Sequence, residues 1–204
     1  MFNNIGLPGL LLIAVVLAVA ALSAVGFFAD RLQSSLARDA RSLLGGDALV
    51  TSDKPTPNAV EDLARREGLA TVRTSGFPSM ARAPEAKGGA TRLVAVKSVG
   101  DGYPLRGRLR VRDSIDAPMR DAVGVPKPGT VWVDPSLLGA LLIEVGDSLL
   151  LGDSTLKVDK LIAIEPDRGA GFSAFSPRVL LHHDDLAATG LVQPASRITY
   201  RMAV

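Results

Sequence analysis

The densest group of side chains able to do chemistry is His182-His183-Asp184-Asp185, which holds both histidines of the chain beside two carboxylates. Its spacing argues against a metal centre. Neighbouring residues at the end of a strand point to opposite faces, whereas zinc ligands share one face or come from separate elements. Asp184 reads more simply as the N-cap of a following helical turn. No serine sits in a G-x-S-x-G elbow, and any triad would have to use one of these same two histidines. The carboxylates of Glu165 and Asp167 are spaced for acid–base work, yet Glu165-Pro166-Asp167-Arg168-Gly169 reads as a turn in which Arg168 pairs locally. Cysteine is absent, which removes thiolate nucleophiles, disulfides and Cys-based metal sites. Neither Gly45-Gly46 nor Gly88-Gly89 belongs to a G-x-x-x-x-G-K-[ST] loop, so the chain is not expected to bind ATP itself. These residues assign no catalytic, cofactor or metal site and point away from an enzyme.

Four apolar residues, Phe77, Met80, Phe172 and Phe175, lie in Gly-, Pro- and Ser-rich connections where a core role is less automatic. They are candidates for contact with a partner or a lipid-like ligand. The competing reading is that they fold back over the domain's own core.

Charge narrows the partners. Lys and Arg are scattered among Asp and Glu, the net charge is +2 and aromatics make up 4%, so there is neither a basic block nor a stacking platform for nucleic acid. The hydrophobic share of 47% is concentrated at the start. Leu7 to Phe28 contains no charge and only Ser23 as a clearly polar side chain. At 1.5 Å per residue it reaches about 33 Å, the thickness of a hydrocarbon core. A spanning helix is expected, with membrane lipids around it. The alternative is a signal peptide cleaved after Ala18-Val19-Ala20. Against it, Met1 to Gly6 carry no basic residue and the apolar run continues well past that site. Arg31, Arg38 and Arg41 follow the segment and would favour a cytoplasmic soluble part, but long domains translocate largely regardless of charge.

Positioning elements follow from periodicity. Leu32, Leu36, Ala40, Leu43 and Leu44 continue the helix outward as an amphipathic stalk that Gly45-Gly46 stops. Strands are expected at Asp47 to Ser52, Leu69 to Ser75, Met80 to Ala83 and Arg92 to Val99, with a helix over Ala59 to Glu67. Between Gly100 and Lys127, rich in Gly, Pro and charge, Arg108 to Val111 is the one strand-like piece, so a subdomain junction is placed near 100–128. Beyond it come a strand at Thr130 to Val133, a helix at Pro135 to Leu142 capped by Asp134, and strands at Ser148 to Leu151, Leu156 to Ile164, Arg178 to Leu181 and Arg197 to Met202. The expectation is a helix and stalk over 1–44 and an α+β domain over 45–204.

The runs Ala20 to Leu32 (AALSAVGFFADRL), Phe77-Pro78-Ser79-Met80, Asp101 to Gly107 (DGYPLRG), Glu165 to Phe172 (EPDRGAGF) and Thr189 to Arg197 (TGLVQPASR) occur in order. Together they resemble the YbbP-like branch of the MacB/FtsX-type ABC transporter permeases. The resemblance implies a bacterial inner-membrane permease whose first helix leads into a periplasmic MacB-type core domain, with a porter-like α+β part and a smaller β-rich part. It also implies a separate ABC ATPase subunit, a dimer or pseudo-dimer in the parent protein, and association with a periplasmic esterase or lysophospholipase. The substrate it implies is hydrophobic or lipid-like. On this reading the chain is a fragment of such a permease. Tyr103, Pro104, Leu105 and Arg106, with Pro166, Asp167 and Arg168, are expected to shape the interface between the two parts. Two other classes stay open: a stand-alone membrane-anchored binding or scaffold protein, and a secreted hydrolase using His182 or His183.

Overall fold

The computed structural model describes residues 6–169, 172–193 and 196–204, without the side chains of residues 6–8, 37, 38, 40, 42, 172 and 173. It divides into two compact units, residues up to 40 and residues 41–204.

The first unit is the greater part of one helix, α1 (Gly6–Leu44). Within it, Gly9–Leu36 is long and apolar enough to cross a membrane. Its large side chains, including Leu10, Ile13, Leu17, Leu22 and Phe27, are exposed, as a lipid-facing surface requires. The apolar segment and the expected stalk form a single uninterrupted helix. It ends where Gly45 takes a left-handed conformation (φ +72°), which costs a glycine little and a side-chain-bearing residue more.

The second unit is an α+β domain built on β1 (Leu49–Ser52), α2 (Asn58–Arg66), β2 (Val72–Arg82), β3 (Thr91–Val99), β4 (Arg110–Arg112), β5 (Arg120–Asp121), β6 (Thr130–Val133), α3 (Ser136–Leu141), β7 (Ser148–Leu151), β8 (Ser154–Ile164), the short α4 (Phe172–Phe175), β9 (Arg178–His182) and β10 (Thr199–Ala203). Hydrogen bonding runs in the order β1-β10-β2-β3-β9-β6-β8-β4-β5. Because β7 pairs with both β2 and β8, strands β2, β3, β9, β6, β8 and β7 close into a ring. Pairing is parallel between β3 and β9 and between β6 and β8, and antiparallel elsewhere around the ring.

Alternation along each strand divides the apolar residues into two cores. The ring encloses one side chain after another from all six strands: Phe77 and Ala81, Val94 and Val96, Val131 and Val133, Leu149 and Leu151, Leu156 and Val158, Val179 and Leu181. Leu137, Leu138 and Leu141 of α3 join this interior. The intervening residues face outward, and there Val99, Trp132, Ile162 and Leu180 meet Tyr103, Leu109 and Val111 in a second cluster. The segment near 100–128 therefore supplies the cover for the outer face of the ring, with partly buried Leu105, Ala122 and Val125 at its margin.

Several local expectations differ from the structure. The pieces 69–75 and 80–83 belong to one strand, β2, which runs straight through Pro78. Proline breaks a ladder by lacking an N–H, yet β10 pairs with β2 only up to Gly76 and β7 only from Ala81. Among the described residues, 77–80 thus have a strand neighbour on the β3 side alone, and the missing donor is tolerated. A two-residue strand, β5, accompanies β4 in the 100–127 segment, where charged exposed residues hid it. The turn after β9 is capped by the His182 side chain, whose Nδ1 accepts from the Asp184 N–H at 3.2 Å, so Asp184 is not the cap. Asp134 does cap α3: its carboxylate accepts from the Ser136 N–H at 3.1 Å and the Ser136 hydroxyl at 2.8 Å.

Candidate functional site: a buried charge network beside a cationic cleft

Lys97 stands in the run Leu93 to Val99, at an outward position directly after inward Val94 and Val96. An outward lysine would ordinarily reach water. Here the 165–168 turn and Tyr103 lie over it, leaving Lys97 4% exposed. Its ammonium donates to Asp167 Oδ1 at 2.7 Å, Tyr103 Oη at 2.8 Å and Glu165 Oε1 at 3.0 Å. It also sits 4.5 Å from the centre of the Tyr103 ring. The Tyr103 hydroxyl in turn donates to Asp167 Oδ1.

Arg178, at the start of β9, is in register with Ala95 and reaches the same layer. Its Nε donates to Glu165 Oε2 at 2.8 Å and a terminal nitrogen to the Arg168 carbonyl at 2.6 Å. Glu165 is thus held between a lysine and an arginine with its side chain fully enclosed. Arg168 reaches across to Asp134 Oδ2 at 2.9 Å and to the carbonyls of Ser176 and Ala174. These bonds tie the 165–168 turn to the start of α3 and to the approach to β9.

The electrostatics follow from burial and partners. Burial disfavours the charged form of Glu165, but the nearby Lys97 and Arg178 charges outweigh it and hold the carboxyl below its ordinary range. Asp134 likewise is held low, because hydrogen bonds from Arg168 and Ser136 exceed the cost of burial. Tyr103 is pushed well above its usual value, first by burial and then by the Asp167 and Glu165 charges. At neutral pH the cluster combines an ionised Glu165 with a protonated Tyr103, an arrangement that fastens loops to the ring.

The network extends to the chain just after α1. The Arg106 N–H donates to the Gly45 carbonyl at 3.1 Å, and its guanidinium pairs with Asp47. A Cβ on Gly45 would lie 3.2 Å from the Asp167 carboxyl, so the turn at 45 rests directly on the network.

Among the residues expected at a site, Tyr103, Arg106, Asp167 and Arg168 are brought together in this way. The others are dispersed. Phe77 is 7% exposed and its ring belongs to the interior core, so it is not the surface group its Gly- and Pro-rich setting suggested. Met80, on the opposite face of β2, is 50% exposed, and Phe175 is 91% exposed. The side chain of Phe172 lies outside the described residues. His182 and His183 diverge, His182 being buried and His183 meeting Ser98 Oγ at 3.3 Å. Among the described residues no group of three or more His, Asp or Glu side chains converges as a metal site.

Sequence reading missed Lys97 and Arg178 and took Glu165 for a turn residue. The available signal was a lone lysine inside an apolar strand. The turn residue Glu165, 68 positions away, gave no hint that it would meet that lysine.

Beside the network lies a cleft of about 320 Å³, lined by Lys97, Asp167, Arg168, Arg178, Arg197 and Arg201 together with Phe77 and Pro78 of β2.

No family model matches the chain. The chain is 32% identical over 197 residues to YbbP, an uncharacterized ABC transporter permease of Escherichia coli (strain K12). The aligned region takes in 95% of this chain and 23% of that protein, so the chain spans about a quarter of its relative's length. Similarity extending over 95% of the chain, together with an N-terminal helix long and apolar enough to cross a membrane, relates the chain to the YbbP-like ABC transporter permeases.

Proposed function

We propose that this chain serves as the first membrane helix and first periplasmic domain of a bacterial inner-membrane permease. In that role it couples ATP hydrolysis by a separate ABC ATPase subunit to export or extraction of a hydrophobic or lipid-like substrate. The observation that carries the reading is the similarity to an ABC transporter permease along 95% of the chain. The work is mechanical and makes or breaks no bond in the substrate. Force enters through α1, and the hydrogen bonds of Arg106 to Gly45 and Asp47, backed by Asp167, make the segment after α1 stiff enough to pass it on. Exposed Met80 and Phe175 are the surfaces offered to substrate or to a periplasmic esterase or lysophospholipase. The parent protein works as a dimer or pseudo-dimer.

The test uses the full-length parent permease, co-expressed with a candidate ABC ATPase subunit and reconstituted in lipid. The two are expected to co-purify, and Arg168→Ala is expected to lower transport-coupled ATPase activity while the complex still assembles. Failure to recover an ATPase with the permease would sink the coupling proposal and favour an anchored scaffold. Unchanged coupled activity in Arg168→Ala would remove the network from the mechanism.

A further inference from the structure

The cleft beside the charge network holds more positive than negative charge. Lys97, Arg168 and Arg178 are answered by Glu165, Asp167 and Asp134, three cations against three carboxylates. Arg197 and Arg201 project into the same space, and among the described residues no carboxylate pairs with either. The Asp167 oxygen nearest the network, Oδ1, is already taken by Lys97 and Tyr103.

Arg197, Thr199 and Arg201 occupy alternate positions and all line the cleft, so one face of the chain leading into β10 presents two guanidinium forks with a hydroxyl between them. Guanidinium groups match the oxygens of phosphate or carboxylate in paired hydrogen bonds, and they keep their charge at any physiological pH. Gly76, Phe77 and Pro78 of the adjoining β2, which also line the cleft, bring no carboxylate to compete with a ligand. The space of about 320 Å³ suits one head group, and a surplus of two positive charges matches a phosphate dianion. An acidic protein segment would need a longer cationic track than this face provides.

We propose that this cleft is an oxyanion site that takes inorganic phosphate or a phosphate monoester, held between Arg197 and Arg201 with Thr199, over a floor polarised by Lys97 and Arg178. It stands on the charges of the cleft and does not depend on the transport reading. Free phosphate and the head group of a phospholipid share this chemistry.

The full chain in maltoside micelles is titrated with inorganic phosphate at constant ionic strength, and the arginine Nε–H resonances are followed by NMR. Saturable shifts are expected at Arg197 and Arg201. Arg197→Gln and Arg201→Gln should each weaken binding by about tenfold or more, the loss of one charge-assisted contact. Trp132 fluorescence checks that each variant remains folded. Nanodiscs with and without phosphatidic acid separate the sources. Variant-sensitive binding stronger on phosphatidic acid than with glycerol 3-phosphate identifies a lipid head group, and equal binding identifies free phosphate. Either result supports an oxyanion site. Absence of saturable binding, or binding unchanged in both variants, overturns the proposal. So does a hexaglutamate peptide that binds about tenfold more tightly than phosphate, because the face would then be a protein-docking surface.

Discussion

Replacing Lys97 by methionine keeps the length and apolar stem of the side chain while deleting its charge, and the structure gives the consequence a size. Three acceptors lose a donor: Asp167, Glu165 and the Tyr103 hydroxyl. Glu165 retains Arg178 and Asp167 retains Tyr103, so neither carboxylate is fully orphaned. Hydrogen bonds to charged groups contribute roughly 1.5–3 kcal/mol each and are not additive, while breaking one partner of a buried pair typically costs about 3–5 kcal/mol. With Lys97 almost fully enclosed, a loss of about 3 kcal/mol is expected for Lys97→Met. Trp132, the single tryptophan of the chain, is buried in the neighbouring outer cluster and reports unfolding directly. Urea titration of the full chain in maltoside, followed by its fluorescence, measures the change.

The sign of the pH dependence is fixed by Glu165. Its folded carboxyl is held below its unfolded value, so its stabilisation is present above the ordinary glutamate range of about 4.3 and fades as pH falls through the folded value. Lys97→Met removes part of that depression, and the gap between wild type and variant should therefore narrow in acid. Adding Asp167→Asn should recover part of the loss, with a coupling of about 1–2 kcal/mol. A Lys97→Met protein within about 1 kcal/mol of wild type at pH 7 would refute the claim that the network is a substantial source of stability.

Tyr103 is kept protonated by burial and by neighbouring carboxylates, so the folded protein should lose stability as pH rises above about 10, where the unfolded tyrosine ionises and the folded one does not. Tyr103→Phe should flatten that alkaline limb in the same urea assay. Gly152 has φ +57°, and a Cβ there would stand 2.0 Å from the Thr189 carbonyl oxygen, so Gly152→Ala should destabilise the domain by about 2 kcal/mol or more, lowering the thermal midpoint followed by circular dichroism. Leu149→Ala, inside the ring, should cost about 3 kcal/mol, whereas Met80→Ala on the exposed face of β2 should change stability by about 0.5 kcal/mol or less. A large loss in Met80→Ala would assign that side chain to the core.

Local chemistry made some of this molecule legible without coordinates. An uncharged run of sufficient length sets a helix able to cross a bilayer. Gly45 stops that helix, Asp134 caps α3, and alternation in segments such as Thr130 to Val133 marks strands. Each depends on residues within a turn or two of one another, and sequence records those directly. What depended on distant neighbours was not readable. The residues of β2 read as two separate pieces on either side of Pro78, and only the gap between β10 and β7 shows that the donor proline lacks is not needed there. Phe77 stayed open between surface and core because its neighbours are turn formers, and ring closure through β7 puts it inside. Nothing local marks a partner for Lys97 within its strand, and Glu165 reads as part of a turn. Their burial as a pair, 68 positions apart, arises because the 165–168 turn folds over the outer face of β3. A charge can be buried only where its partner arrives with it, and that arrival was decided by tertiary structure alone.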